Sequence, residues 1–204
     1  MSYATLAEFK AAVGILSTDT ADDTALQAVL DATDTLIDLH CDRRTGFGTA
    51  SETRYYTADD YAYVQVDDLV SVTTLQTDDD ANGTYETTWT AGTDYNLAPA
   101  NVQLDGFPYT RLETSVTWPR NFPKGVYLGV KVVGVFGFPA VPAAVKQAEI
   151  IQANAVWVSR TSPYAVVGSQ ELGGILRQTR ALHPEAALIL EPYRKRLGLA
   201  RCLP

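Results

Sequence analysis

Two hydrophobic periods run through this chain, and the change from one to the other divides it. Residues 5–42 follow the helical period. Thr5 and Glu8 stand at capping-box spacing and predict a helix over Leu6 to Val13, which Gly14 stops. Thr20 is a good N-cap for a second helix over about Ala21 to Asp42, with Asp22 and Asp23 in its first turn, where the dipole favours anions. Leu26, Val29, Leu30, Thr33, Ile37 and His40 fall on one face. Asp31, Asp34 and Asp38 mark the other face, expected to be wet. Arg43 and Arg44 follow at the cation-favouring end, and Gly46 and Gly48 close the helical part.

From Glu52 to Phe138 the period shortens, and Tyr, Thr and Val dominate. The runs Thr53–Tyr56, Tyr63–Val66, Val70–Thr77, Thr84–Trp89, Tyr95–Leu97, Thr110–Val116 and Val126–Phe136 predict short strands. Asn82-Gly83 is a hairpin signal and Asp105-Gly106 a turn signal.

The helical period then returns. The β-branched run Val130, Val132, Val133, Val135 is closed by Pro139 and Pro142, through which a strand cannot continue. Pro142 suits the first turn of a helix, and no Pro or Gly follows from Ala143 to Arg160. Ala144, Ala148, Ile151, Ala155 and Val158 make one apolar face, widened by Val145, Ile150, Val156 and Trp157. A helix apolar on most sides is central, buried by neighbours or by other copies. Ser162-Pro163 breaks the chain, Gly168 to Gly174 reads as a flexible linker, and Pro184 restarts a helix that Pro192 kinks. Tyr193, Arg194, Lys195 and Arg196 form a basic end. These elements give an α+β protein. A helical bundle of two N-terminal helices plus the central helix carries an inserted antiparallel β domain and a C-terminal helical arm. The expected divisions are residues 1–50, 51–140, 141–162 and 163–204.

Composition narrows the class. A hydrophobic share of 46% against 20% charged residues describes a folded globular chain. No apolar run approaches the ~20 residues that cross a bilayer, and no secretory signal is visible, so no membrane partner is expected. Cys41 and Cys202 are too few for a disulfide framework and read as reduced thiols of a protein made in cytoplasm. Charge is uneven: residues 1–105 hold 19 of the 24 acidic side chains and 4 of the 16 basic ones. Such asymmetry favours contact between unlike ends of different copies, or with a charged partner. The acidic balance argues against tight duplex binding.

Candidate chemistry is sparse. His40-Cys41 lacks zinc-ligand spacing and reads as a buried helix pair. Asp78-Asp79-Asp80 lacks the alternation and closing Glu of a calcium loop and reads as a solvated hairpin loop. Gly168 to Gly174 has no following Lys-Ser or Lys-Thr, so it is no phosphate loop. No nucleophile elbow is present, and no carboxylate pair is singled out for hydrolysis. Catalytic, metal and cofactor-binding residues are therefore expected to be absent.

One arrangement does point to a family. A short helix and a long acidic helix end in Cys41-Asp42-Arg43. A β insert follows, then Phe136-Gly137-Phe138-Pro139-Ala140-Val141-Pro142 and the alanine-rich start Ala143-Ala144-Val145-Lys146-Gln147-Ala148. Over about Thr5 to Arg160 this resembles the head–tail connector (adaptor) family of tailed bacteriophages and related gene-transfer particles. The resemblance implies a structural virion protein, assembled in host cytoplasm and lodged in the neck. It would form a homo-oligomeric ring, usually of twelve copies, beneath the portal. The ring extends the DNA channel and meets the next connector, a stopper or a tail protein. Genomic DNA would pass without sequence-specific binding, and no enzyme activity or cofactor is implied. The C-terminal segment Gly168 to Arg196 would reach toward the portal, through Arg177, Arg180, Tyr193 and Arg194, and would be disordered in isolated subunits. Asp31, Asp34 and Asp38 would face the lumen or a neighbour, since an acidic wall repels phosphates. Two alternatives stay open: a head-completion stopper or tail terminator, and a carbohydrate- or host-binding module on the β insert using Trp89, Trp118 and the tyrosines.

Overall fold

The computed structural model describes residues 2–43, 46–116, 120–160, 166–169, 174–177 and 182–195. The chain divides into two compact units, Met1–Gly46 with Val141–Pro204 and Phe47–Ala140. The class is α+β, with helices in the first unit and an antiparallel sheet in the second.

In the helical unit, α1 spans Leu6–Val13. Its capping box is complete: the Glu8 amide donates to Thr5 Oγ1 at 3.2 Å, and the Thr5 amide donates to Glu8 Oε2 at 2.6 Å. Gly14 ends the helix at φ 76°, a left-handed conformation that glycine adopts without Cβ strain. Helix α2 spans Asp23–His40, starting later than expected. Thr20 does not cap it; residues 19–22 form a turn in which the Ala21 amide donates to Asp19 Oδ1 at 3.2 Å. Helix α3 spans Ala143–Ser159 behind Pro142. Phe9, Leu26, Leu30 and Ala153 are fully buried together, with Leu6, Val29, Ile150 and Trp157 packed around them. Lys10 is also inside, at 4% exposure, donating to Asp23 Oδ1 at 2.7 Å and to the Asp19 carbonyl.

In the arm, Val166–Ser169 (β1) pairs antiparallel with Gly174–Arg177 (β2), at the two ends of the segment read as a linker, whose residues 170–173 lie outside the described residues. Helix α4, Pro184–Leu190, runs into a short 3-10 turn, Glu191–Tyr193. That turn is tied to the end of α2: Arg43 Nε donates to the Tyr193 carbonyl at 2.8 Å, and the Lys195 amide donates to the Cys41 carbonyl at 2.9 Å. Among the described residues, no helix is long and apolar enough to cross a membrane.

The β unit carries strands β3 (Thr49–Tyr56), β4 (Tyr63–Thr77), β5 (Thr87–Trp89), β6 (Tyr95–Ala98), β7 (Tyr109–Thr114) and β8 (Val130–Gly137). The sheet order is β3-β8-β4-β7-β6, with β5 on β4. The predicted strands Tyr63–Val66 and Val70–Thr77 are one long strand. Register shifts between Gln65 and Leu69 and between Leu69 and Ser71 let it bend through the acidic pair Asp67-Asp68. Strand β3 begins four residues earlier than predicted, because the exposed edge Thr49 to Thr53 has no alternation to announce it. Gly134 is obligatory: a Cβ there would strike the Ser71 carbonyl on β4. Asn82-Gly83 lies inside a wider loop rather than a two-residue turn, since Asp78 accepts the Asn82 amide at 3.2 Å and the Gly83 amide at 2.8 Å. The core joins Val64, Leu69, Leu75, Leu112, Val130, Val132 and Phe136 to Trp89, which stacks on Phe122 at 4.5 Å.

Candidate functional site

The acidic face of α2 is where the sequence reading and the structure part. Asp31 is exposed, as expected, and accepts from Gln27 Nε2 at 2.9 Å. Asp34 is not on a wet face: it is 6% exposed. Its Oδ1 accepts the Tyr3 amide at 3.4 Å. Asp38 is half-buried and accepts the Tyr3 hydroxyl. The reason is the segment Ser2–Ala4. It crosses α2 and α3 as a strap and brings donors to carboxyls that periodicity alone assigned to water.

The other wall of this site is Glu149 of α3, which sequence reading passed over. It is fully buried. Ser2 Oγ donates to its Oε1 at 3.0 Å, and the Ala4 amide donates to its Oε2. Burial pushes Glu149 up to about 8, and the adjoining Asp34 carboxyl adds to the rise. Burial likewise raises Asp34 and Asp38 above the ordinary carboxylate value. Asp34 Oδ2 is buried without a hydrogen-bond partner. A signal for Glu149 existed: it is the one acidic residue in the apolar stretch Ala143 to Arg160.

The buried face of α3 is Val145, Ala148, Glu149, Gln152 and Ala153, so of the predicted apolar face Ala148 and, from its widening, Val145 belong to it. Polar partners from distant segments turned the helix: the strap reaches Glu149, and the His183 amide donates to Gln152 Oε1 at 2.6 Å. Val158 is left 53% exposed. Helix α2 shows the same excess. Beyond its buried face it carries Ala28, Ala32, Leu36 and Leu39 in one outward row, with Leu36 at 46% and Leu39 at 78% exposure.

Of the residues expected to meet the portal, Arg177 closes strand β2, and Arg180 lies outside the described residues. Tyr193 sits in the 3-10 turn, and Arg194 is half-exposed beside Glu191 at 3.3 Å. Cys41 is buried, and burial pushes its thiol up to about 11, away from metal binding or nucleophilic use at neutral pH. Trp89 is 4% exposed and donates to Thr77 Oγ1 at 2.9 Å, so it packs the core and offers no sugar platform. Trp118 lies outside the described residues. Asp78, Asp80 and Glu86 bring carboxylate oxygens within 4.8 Å of one another. Loop amides and Asn82 already occupy them.

No protein-family model matches the chain, and no curated protein matches its sequence. Among solved structures, the chain is similar to one from the neck of the empty GTA particle computed with C6 symmetry. The TM-score is 0.54 at 18% identity, covering 96% of this chain and 92% of that one. The two chains share a fold. This chain is also similar to a chain from the neck of the native GTA particle computed with C12 symmetry, with TM-score 0.47, 20% identity, and 95% and 90% coverage.

Proposed function

We propose that this chain is a structural protein of a virion neck, a head–tail connector (adaptor) whose copies close into a ring, of twelve subunits, below the portal. The observation that carries this reading is the fold shared with the first of these neck chains, over nearly the whole of both chains. The arrangement of apolar surface supports it. Leu36 and Leu39 lie outward on a helix that already has a buried face, and apolar surface of that kind marks contact with another molecule. A second copy is the occupant that fits, because the acidic first half of each chain and the basic second half attract across a heterologous contact. Heterologous contacts that close make rings. Asp31, exposed beside this row, would face the neighbour or the lumen. The portal would meet the arm through Arg177, Arg180, Tyr193 and Arg194, and the next connector, a stopper or a tail protein would take the opposite end of the ring. DNA would pass through without sequence-specific contact, and the role asks for no catalysis.

The test is native mass measurement of the purified chain, alone and with portal, together with micrographs of whole particles. The expected result is a ring mass and density in the neck. A monomer under both conditions, or density elsewhere in the particle, overturns the reading. Leu39→Asp should reduce ring mass to that of subunits while leaving the helical circular dichroism unchanged; an intact ring removes α2 from the contact.

A further inference from the structure

We propose that Asp34 and Glu149 form a proton-operated latch that holds the strap Ser2–Ala4 across α2 and α3 while they share a proton and releases it when both are ionised. The inference is independent of the neck reading. It stands first on a count of donors. Glu149 accepts from Ser2 Oγ and from the Ala4 amide, and Asp34 Oδ1 accepts from the Tyr3 amide. That leaves Asp34 Oδ2, which is buried and has no donor of its own. The Asp34 and Glu149 carboxyls adjoin, and two carboxyls can hydrogen-bond to each other only through a shared proton. Glu149 is fully buried and Asp34 nearly so, and two adjoining like charges out of water cannot both persist cheaply.

The surroundings fix the direction of the response. From α2, Asp38 adds negative charge and raises Asp34. From the strap, the Tyr3 hydroxyl is committed to Asp38, and the Tyr3 and Ala4 amides pull Asp34 and Glu149 part of the way back down. From the segment before α4, His183 bonds the neighbouring Gln152 through its amide, and its Nδ1 is buried without a partner. Glu149 is raised from 4.5 to about 8, so the folded chain holds a proton that the unfolded chain has lost between those values. The contribution to stability is therefore full below 4.5 and declines as pH rises through this window, while the latch itself opens as the folded carboxyl loses its proton near 8. The donors that matter are main-chain amides, present whatever the residue. What makes the site a switch is the pair of acids, where an amide and an acid would have served packing equally well.

The experiment is a titration of the full chain between about pH 5 and pH 9, following side-chain carboxyl carbons and backbone amides by NMR. The Glu149 carboxyl should titrate far above the ordinary carboxylate range, and the Tyr3 and Ala4 amide signals should move in step with it. Protection of those amides from exchange, corrected for the intrinsic rate, should fall by about tenfold or more across the step. Glu149→Gln keeps a neutral side chain of the same shape; the step should vanish and the strap stay protected at the alkaline end. His183→Gln should leave the step in place. An ordinary Glu149 midpoint, strap amides indifferent to it, or a step abolished by His183→Gln each overturns the latch. If Glu149→Gln fails to fold, the wild-type titration decides alone.

Discussion

The two units bury polar groups for different purposes. In the β unit two buried acids shape their own loops, although Asp94 also pairs with Arg120 at 3.4 Å. Asp78 accepts the amides of Asn82 and Gly83, four and five residues on, and Asp94 accepts the Thr90 amide four residues back. In the helical unit the buried polar groups join parts of the chain far apart in sequence. Ala4 meets Glu149 across 145 residues, Arg43 meets Tyr193 across 150, and His183 meets Gln152 across 31. The β unit is one continuous segment and closes on an apolar core, whereas the helical unit is assembled from two segments separated by the whole insert. Polar contacts specify geometry more sharply than apolar area does, so a composite unit uses them to register its pieces. The comparison predicts that damage to the β unit will scale with apolar volume lost, and damage to the helical unit with ties broken.

The strongest form of that expectation concerns Trp89. Replacing it by Ala removes the stack on Phe122 and the bond to Thr77. The cost should be about 3–5 kcal/mol, read from denaturant unfolding. Amide exchange should show the loss in β4, β5 and β8 first. A cost below about 1 kcal/mol would mean that the β unit does not rest on its core.

That contrast also explains what was legible in advance. The helices announced themselves through local chemistry: Thr5, Glu8 and Gly14 bracket α1, and Pro142 opens α3. The strands were mostly found because Tyr, Thr and Val stand out from turn residues. The merging of two of them into β4 was hidden, since a bulge through Asp67-Asp68 looks like a break. The candidate site was read poorly. Helical spacing sets Asp34 one turn beyond Leu30, at the border of the buried face, so its assignment to the wet face was wrong, and Ser2–Ala4 covers that side. A helix such as α3, apolar almost all round, has no periodicity to say which face turns inward. Partners supplied from residues 2–4 and 183 decided it. Exposed Leu39 was invisible for a related reason: sequence pattern reports apolarity and leaves open whether the same chain or another covers it.

A middle-sized effect sharpens the claim about ties. Lys10 is 4% exposed and binds Asp23 and the Asp19 carbonyl, fastening α1 to the start of α2. Lys10→Met keeps the apolar stem and removes the charge, leaving Asp23 unpaired. Asp23 is 31% exposed, so water softens the loss, and the cost should sit near 2–3 kcal/mol by urea unfolding. If Met is tolerated without loss, the lysine acts only as a hydrophobic stem, and the helical unit is held by its core like the β unit.

The smallest expected effect comes from a contact confined to one element. Thr5→Ala removes the hydroxyl that accepts the Glu8 amide, at a cost of about 1 kcal/mol. Glu8 is held below its ordinary value first by the Thr5 amide and then by the Thr5 hydroxyl. The variant should therefore let the Glu8 carboxyl drift back up, which NMR titration would show. A depressed carboxyl stabilises the fold above its free value and loses that contribution as pH falls through the folded one, so the penalty should be larger at neutral pH than in acid. This is the reverse of the slope expected from Glu149. The two carboxyls thus provide opposite signs within one unit. A stability profile of Thr5→Ala that instead followed the Glu149 slope would mean that the cap reports the latch and that the strap and α1 move as one piece.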